Sequence, residues 1–173
     1  MNQKQALRKH IISYGIVLGI TLSVIEFLSV VLGIIFSAVT GYVFLIVIML
    51  SLMLAVKKFR DSIQNGIILF GDAFVISFFM CILSGAIWAL YRFIQYTLFP
   101  DLLNELVQPM FNTLFPPGVP VKDPGAESMK LVMQLPVFWA FVTFFFYMAM
   151  GGSLLSLYIA FILKRGKTAQ KQG

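Results

Sequence analysis

The 173-residue sequence predicts an all-α protein that crosses a membrane four times, and two observations lead to this fold class. Hydrophobic residues make up 60% of the chain and charged residues 12%, whereas soluble domains contain about 45–50% apolar and about 25% charged residues. Four apolar stretches also reach the length of roughly 20 residues that a helix needs to cross hydrocarbon. A membrane explains both observations, because the outer surface of a membrane protein is apolar.

The predicted spans cover residues 11–36, 40–56, 73–99 and 135–163, within a single transmembrane domain over residues 1–173. The first stretch follows a basic segment, as a signal peptide would. Its apolar run is longer than the roughly 7–15 residues of a signal peptide, and no small-residue cleavage site follows at the right distance. We therefore expect an uncleaved first helix.

Lysine and arginine cluster at the predicted ends of the spans. Three lie in residues 4–9, three in residues 57–60 and four in residues 164–171, whereas the outer loop at residues 100–134 has two against four acidic residues. Basic segments flanking spans stay in the cytoplasm, so we expect both termini to be cytoplasmic. The same clusters anchor to anionic lipid headgroups, which explains the net charge of +6 without a nucleic-acid partner.

The outer loop predicts one further element. The apolar residues of segment 101–115 recur at helical spacing, opposite Asp101, Asn104, Glu105 and Gln108, which predicts a short amphipathic helix between spans three and four. We expect it on the outer membrane face, bent or broken at Pro109. A lid over the bundle and a surface for a partner are equal alternatives. Residues 126–134 should begin the fourth helix, with Pro136 within its first turns.

Two ionisable residues lie inside predicted spans, Glu26 in the first and Arg92 in the third. A charge in hydrocarbon costs roughly 2.5–3.5 kcal/mol on insertion scales, so such residues usually face protein and often pair. Each shares a helix face with small residues, which permit close helix packing. These are Gly15, Gly19 and Ser23 on the first helix, and Ser77, Cys81 and Gly85 on the third.

We therefore predict an intramembrane ion pair between Glu26 and Arg92. The simplest role of such a pair is structural, because it neutralises two costly charges and fixes the helix register. Alternatively, Arg92 extends alone toward the interface, or the pair forms a proton or ligand site.

The fourth span also has a small-residue face, formed by Ala149, Gly152, Ser153, Ser156 and Ala160, which we interpret as a helix-packing surface. Asn65-Gly66 predicts a turn. Asp72 precedes the third span, so its carboxylate is predicted to cap that helix.

No arrangement of residues predicts catalysis or metal binding. The chain has one cysteine and one histidine, His10, which lies in the basic amino-terminal segment. No Ser/His/Asp set, phosphate-binding glycine loop or carboxylate pair is visible in the sequence. We therefore expect neither an enzyme nor a cofactor.

Several motifs resemble a family of small four-helix membrane proteins, mainly from Bacteroidota, known as domain of unknown function 4199. They are Tyr14-Gly15 followed by Gly19 and Glu26, segments 57–61 and 70–74, Asn65-Gly66, and segment 151–156 leading to Lys164-Arg165. The family often has a glycine pair after the asparagine, where this chain has Gly66-Ile67. The resemblance implies a bacterial inner-membrane location and brings no activity with it.

Two functions follow from this pattern. The first is an accessory or structural membrane subunit that binds other membrane proteins or itself, which small-residue helix faces and an outer helix favour. The second is a small transporter or channel subunit that uses Glu26 and Arg92.

Overall fold

The computed structural model describes residues 3–34, 37–114 and 124–163, which form helices and no strand. The elements are α1 (Gln3–Val31), α2 (Ala38–Ile63), α3 (Phe70–Leu98), α4 (Pro100–Leu114), α5 (Pro124–Met133), α6 (Pro136–Tyr147), a π-helix (Met148–Leu155) and α7 (Ser156–Leu163). The all-α prediction is therefore confirmed.

Four stretches of helix are long and apolar enough to cross a membrane: Lys4–Val31, Ala38–Ile63, Phe70–Leu98 and Pro136–Leu163. Their outward faces carry large exposed apolar side chains such as Val17, Leu54 and Phe161. An apolar outer surface of this kind suits lipid and not water. The protein is a multi-pass membrane protein, whereas the side of the membrane on which its termini lie stays a prediction.

Helices α1 and α2 extend beyond the predicted spans at their basic ends. Helix α1 begins at Gln3, so Lys4, Arg8 and Lys9 belong to its first two turns. Helix α2 continues to Ile63, so the basic residues of segment 57–60 lie on its last turns. Lys57 and Lys58 are exposed, and their long side chains can reach the headgroups from a helix end. Arg60 is buried, and its Nε donates to Asp61 Oδ1 at 2.7 Å.

The turn predicted at Asn65-Gly66 ends α2. Both residues have positive φ, 51° for Asn65 and 84° for Gly66, a conformation that asparagine and glycine adopt more easily than other residues. The backbone N–H of Gly66 donates to the carbonyl oxygen of Arg60 at 2.9 Å. This hydrogen bond satisfies a carbonyl at the helix end and lets the chain reverse direction.

The predicted amphipathic helix is α4. Leu103 and Val107 are buried, whereas Asn104, Glu105 and Gln108 are exposed. Pro109 lies inside α4 and does not break it. A proline in a helix removes one backbone hydrogen bond, and α4 remains helical on both sides of it.

The expectation that residues 126–134 begin the fourth helix is wrong. They belong to α5, which ends at Met133, and a new helix begins at Pro136. Proline excludes the helical conformation from the residue before it, here Leu135, and it is favoured at the first position of a helix. The N–H groups of Gln134 and Leu135 bond to carbonyls three residues earlier, which forms a tight turn.

The helices form two compact units. Unit 1 comprises Met1–Trp88 with Phe145–Gly173, and unit 2 comprises Ala89–Phe144. In unit 1, Gly15 of α1 lies near Leu83 of α3 and Gly19 near Ile87, so these two helices run parallel. His10 donates to the carbonyl oxygen of Ala55 at 2.9 Å. The prediction of one domain over residues 1–173 stays a prediction.

Unit 2 has its own apolar core. It is formed by Tyr96 at the end of α3, by Leu103 and Val107 of α4, and by Met133 and Trp139. Helix α4 thus buries its apolar stripe against protein inside its own unit. The structure therefore favours α4 as a helix that covers the apolar core of unit 2 over a helix whose apolar face lies in lipid.

Candidate functional site

Glu26 lies in the interior of unit 1. Its side chain on α1 is 0% exposed, and its Oε2 accepts a hydrogen bond from the indole N–H of Trp88 on α3. A buried carboxylate is costly unless it is hydrogen-bonded or paired. Trp88 therefore supplies Glu26 with a hydrogen-bond donor that the sequence pattern does not predict.

Two aromatic rings hold the Trp88 indole in position. Its ring centroid lies 4.9 Å from that of Phe44 on α2 and 5.7 Å from that of Tyr147, the second at an interplanar angle of 77°. Edge-to-face and tilted aromatic pairs at these distances are favourable beyond the area that they bury. The indole of Trp88, which belongs to α3, thus contacts Phe44 of α2 and Tyr147 of α6 and bonds to Glu26 of α1. It joins four helices.

A second hydrogen bond continues from Tyr147. Its phenolic oxygen lies 2.9 Å from Ser84 Oγ, which itself donates to the carbonyl oxygen of Met80 at 2.8 Å. A serine hydroxyl has one proton to donate, so Tyr147 is the donor in the Tyr147–Ser84 pair. We call Glu26, Trp88, Tyr147 and Ser84 the interior polar cluster.

The π-helix that follows Tyr147 shapes this cluster. π-Helices have i→i+5 hydrogen bonds, are rare, and occur frequently at functional sites. Over the nine residues from Tyr147 to Ser156, an α-helix would place the two side chains on opposite faces. At about 4.4 residues per turn, a π-helix returns them to the same face. Both lie beside the thiol of Cys81.

The π-helix also changes the small-residue face predicted for the fourth span. Gly152, Ser156 and Ala160 are buried, whereas Ala149 and Ser153 are exposed. The prediction that Ala149 and Ser153 share the buried face is therefore wrong. That prediction rests on 3.6 residues per turn throughout the span, whereas Met148–Leu155 is a π-helix. The hydroxyl of Ser156 donates to the carbonyl oxygen of Gly151 at 3.2 Å, five residues earlier.

Gly15 and Gly19 let α1 and α3 approach closely. A Cβ atom added at Gly15 would lie 3.0 Å from Leu83, and one added at Gly19 would lie 2.8 Å from Ile87. The distance at Gly19 is shorter than Cβ atoms show in proteins, and the distance at Gly15 is tighter than most Cβ contacts. The absence of a side chain at Gly15 and Gly19 thus leaves room for Leu83 and Ile87. Ser23 is half-buried, and its hydroxyl donates to the carbonyl oxygen of Gly19.

The small residues of α3 face a different neighbour. A Cβ atom added at Gly151 would lie 3.6 Å from Cys81 Sγ, and one added at Gly152 would lie 3.7 Å from Cys81 Cβ. This face of α3 therefore packs on the π-helix, whereas Leu83 and Ile87 face α1. Ser77 and Gly85 are buried on the same helix.

Arg92 belongs to unit 2. Its Nη1 donates to Thr143 Oγ1 at 3.1 Å, and its guanidinium carbon lies 6.0 Å from the centre of the Tyr96 ring. Cation–π contact at this distance is favourable. The Glu26–Arg92 ion pair stays a prediction. Within its own unit, Glu26 bonds to Trp88 and Arg92 bonds to Thr143.

Asp72 lies in the first turn of α3, because that helix begins at Phe70 and not after the aspartate. Its Oδ2 accepts a hydrogen bond from Gln64 Nε2 at 2.8 Å. A carboxylate in the first turn is stabilised by the positive end of the helix. Asp72 therefore ties the end of α2 to the beginning of α3.

The interior polar cluster has hydrogen-bond donors and acceptors but few groups that can hold an ion. Within residues 3–34, 37–114 and 124–163, no three histidine, cysteine, aspartate or glutamate side chains are placed to bind a metal. The sequence pattern places Trp88 on one face of the third helix with Cys81 and Arg92. It does not predict that Trp88 donates to Glu26, nor that Tyr147 and Ser84 take part in the cluster.

No significant similarity was found to any curated protein or to any solved structure. A family model matches residues 13–165, which is most of the chain and includes every residue of the interior polar cluster. The chain belongs to the family described as "Protein of unknown function (DUF4199)".

Proposed function

We propose that the protein is an accessory or structural membrane subunit that binds other membrane proteins or a second copy of itself. The observation that supports this most is the position of Glu26, which is 0% exposed and hydrogen-bonded to Trp88. A carboxylate enclosed among packed helices is suited to fixing helix register. A substrate site, by contrast, has to be reached from outside.

The exposed part of the π-helix is the surface that we assign to the partner. Ala149 and Ser153 are exposed and four residues apart. Small residues at this spacing let a second transmembrane helix approach closely, and helix association in lipid depends on such packing.

The test is association in mild detergent. The full chain, with an affinity tag, is purified, and its mass and bound proteins are measured by light scattering and mass spectrometry. We expect a dimer or a defined membrane-protein partner, which Ser153→Leu should release. Val17→Leu, at a 62% exposed position on α1, is the control. A monomer without a partner would contradict the proposal.

We also propose that both termini lie in the cytoplasm of a bacterium, in its inner membrane, with a Bacteroidota origin. The basic segments at residues 4–9 and 57–60 support the orientation. In a Cys81→Ala background, Asn104→Cys should react with an impermeant maleimide in intact cells, whereas Lys57→Cys should react only after lysis. The reverse pattern would contradict this orientation.

A transporter or channel subunit is the second candidate. It is supported by Glu26, a buried ionisable side chain inside a candidate span, since such residues often mark ion pathways. Flux of protons or small ions is measured in proteoliposomes that contain the wild type or Glu26→Gln. Wild-type flux that the substitution abolishes supports this candidate, and equal or absent flux excludes it.

A further inference from the structure

A groove lies between the amino-terminal turns of α1 and the first half of α3. It has a volume of about 490 Å³, which is within the range of roughly 300–1,000 Å³ for ligand pockets. Eight of its ten lining residues are aliphatic or aromatic, among them Ile12, Phe79 and Ala86, and the other two are Lys4 and Arg8. We call it the α1–α3 groove.

The dimensions of the groove fit one lipid chain. Along α3 its lining extends from Val75 to Ala86, which is about 16 Å at 1.5 Å per residue. This is about half of the roughly 30 Å thickness of the hydrocarbon core, or one leaflet. Leu83 lines the groove and also contacts Gly15, so the groove adjoins the point where the two helices touch.

The charges of the groove lie at one end. Lys4 and Arg8 are one turn apart in the first two turns of α1, and both are exposed. The other lining residues are apolar. An apolar channel with two cations at one end is complementary to an anionic amphiphile. A soluble anion would not use the channel, and a partner helix would not need the cations.

We propose that the α1–α3 groove binds an anionic glycerophospholipid. The phosphate lies between Lys4 and Arg8, and one acyl chain lies along Ile12, Phe79 and Ala86. Arginine binds phosphate through a planar pair of donors. Basic pockets between transmembrane helices are known to hold acidic lipid headgroups.

The test is a lipid titration of the delipidated full chain in a neutral detergent, followed by native mass spectrometry. The probes are phosphatidylglycerol, the zwitterionic phosphatidylcholine and soluble glycerol 3-phosphate. We expect one tightly bound phosphatidylglycerol and much weaker binding of the other two. Equal binding of the two lipids would overturn the charge requirement. Equal binding of glycerol 3-phosphate would overturn the role of the apolar channel.

Two variants locate the site. Lys4→Gln combined with Arg8→Gln should weaken phosphatidylglycerol binding about 30-fold, which corresponds to about 1 kcal/mol for each cation near a membrane surface. Ala86→Phe should also weaken it by filling the channel. Because the two cations are exposed, their replacement leaves the fold intact even if Ala86→Phe does not.

Matched controls separate this site from general attraction. Lys57→Gln combined with Lys58→Gln removes the same charge from a different cleft, which Tyr14 and Leu54 also line. Val17→Phe adds bulk at a lipid-facing position. Neither control should change the affinity more than twofold. A loss with the Lys57/Lys58 control equal to that with the Lys4/Arg8 variant would overturn the proposal.

Discussion

The chain has two tryptophans, and each unit is built around one of them. In unit 1, Trp88 donates across helices to the carboxylate of Glu26, with Phe44 and Tyr147 against its ring. In unit 2, Trp139 donates to the carbonyl oxygen of Met133, six residues earlier, at 2.6 Å. The first bond joins distant spans, whereas the second closes a local turn.

The side chains that surround Trp88 and Trp139 also differ between the two units. The cluster around Trp139 in unit 2 consists of apolar and aromatic side chains, and α4 carries its polar residues on its outer side. The core of unit 1 contains Glu26, Ser84 and close glycine contacts, and its surface is apolar. Helices in lipid gain little from burying apolar side chains, so steric fit and hydrogen bonds have to specify their packing. Four substitutions test this difference.

The largest effect is expected in unit 2. Trp139→Ala should lower the free energy of unfolding by about 3–5 kcal/mol, because it removes a large buried ring. Unfolding is measured by titration with dodecyl sulfate, with the fluorescence of Trp88 as the reporter. Phe141→Ala, at a 67% exposed position, is the control and should change little. Equal losses would show that the apolar core of unit 2 contributes no more than a lipid-facing side chain.

The next largest effect concerns the hydrogen bond of Trp88. Trp88→Phe keeps a ring in place but removes the donor to Glu26, and should cost about 1.5–3 kcal/mol, as for hydrogen bonds to charged groups. Trp139→Phe, which loses a bond to a neutral carbonyl, should cost only about 0.5–1.5 kcal/mol from the bond. Each variant leaves the other tryptophan as the fluorescent reporter. A larger loss at Trp139 would reverse the comparison.

The glycine contact comes third. Gly19→Ala should cost about 1–3 kcal/mol, because the added Cβ would lie 2.8 Å from Ile87. Gly41→Ala is the matched control, since no atom lies within 4 Å of its added Cβ and alanine favours a helix. Unfolding of both variants is followed by circular dichroism. A tolerated Gly19→Ala would mean that α1 and α3 separate without penalty.

The smallest effect is expected at Tyr147. Tyr147→Phe removes the hydroxyl that donates to Ser84, and interhelical hydrogen bonds in membranes average about 0.6 kcal/mol. The double variant with Ser84→Ala measures the coupling energy between the two residues. Additive effects of the two single changes would show that the hydrogen bond contributes nothing.

The sequence was sufficient to predict the four spans and α4 because both depend on composition and periodicity. The apolar runs around Leu22, Leu52 and Met80 indicate membrane crossings even where their predicted ends differ from those of the helices. The spacing of Leu103 and Val107 indicates the buried side of α4 whatever it packs against. These features are properties of single segments.

The partner of Glu26 could not be predicted in the same way. It depends on which side chain of α3 can reach Glu26, and Trp88 reaches it although the contacts of Gly15 with Leu83 and of Gly19 with Ile87 place Trp88 closer to the level of Ile20 than of Glu26. A helical wheel shows the face of a residue and not its neighbour on another helix. The break before Pro136 could not be predicted from helical periodicity. Residues 126–134 have a helical pattern whether they form a separate helix or the beginning of the fourth span.

The π-helix has a consequence for the length of the chain. Eight residues turn through about 655° in a π-helix of about 4.4 residues per turn, whereas eight residues of α-helix turn through about 800°. The face that α7 presents to lipid therefore depends on how Met148–Leu155 winds. If this segment wound as an α-helix at the same length, α7 would rotate by about 145°, which would turn buried positions such as Ile159 toward lipid and exposed ones such as Phe161 toward the interior. If Gly152 were deleted as well, the net rotation would be only about 45°. The length of this segment is thus matched to its π-helical winding.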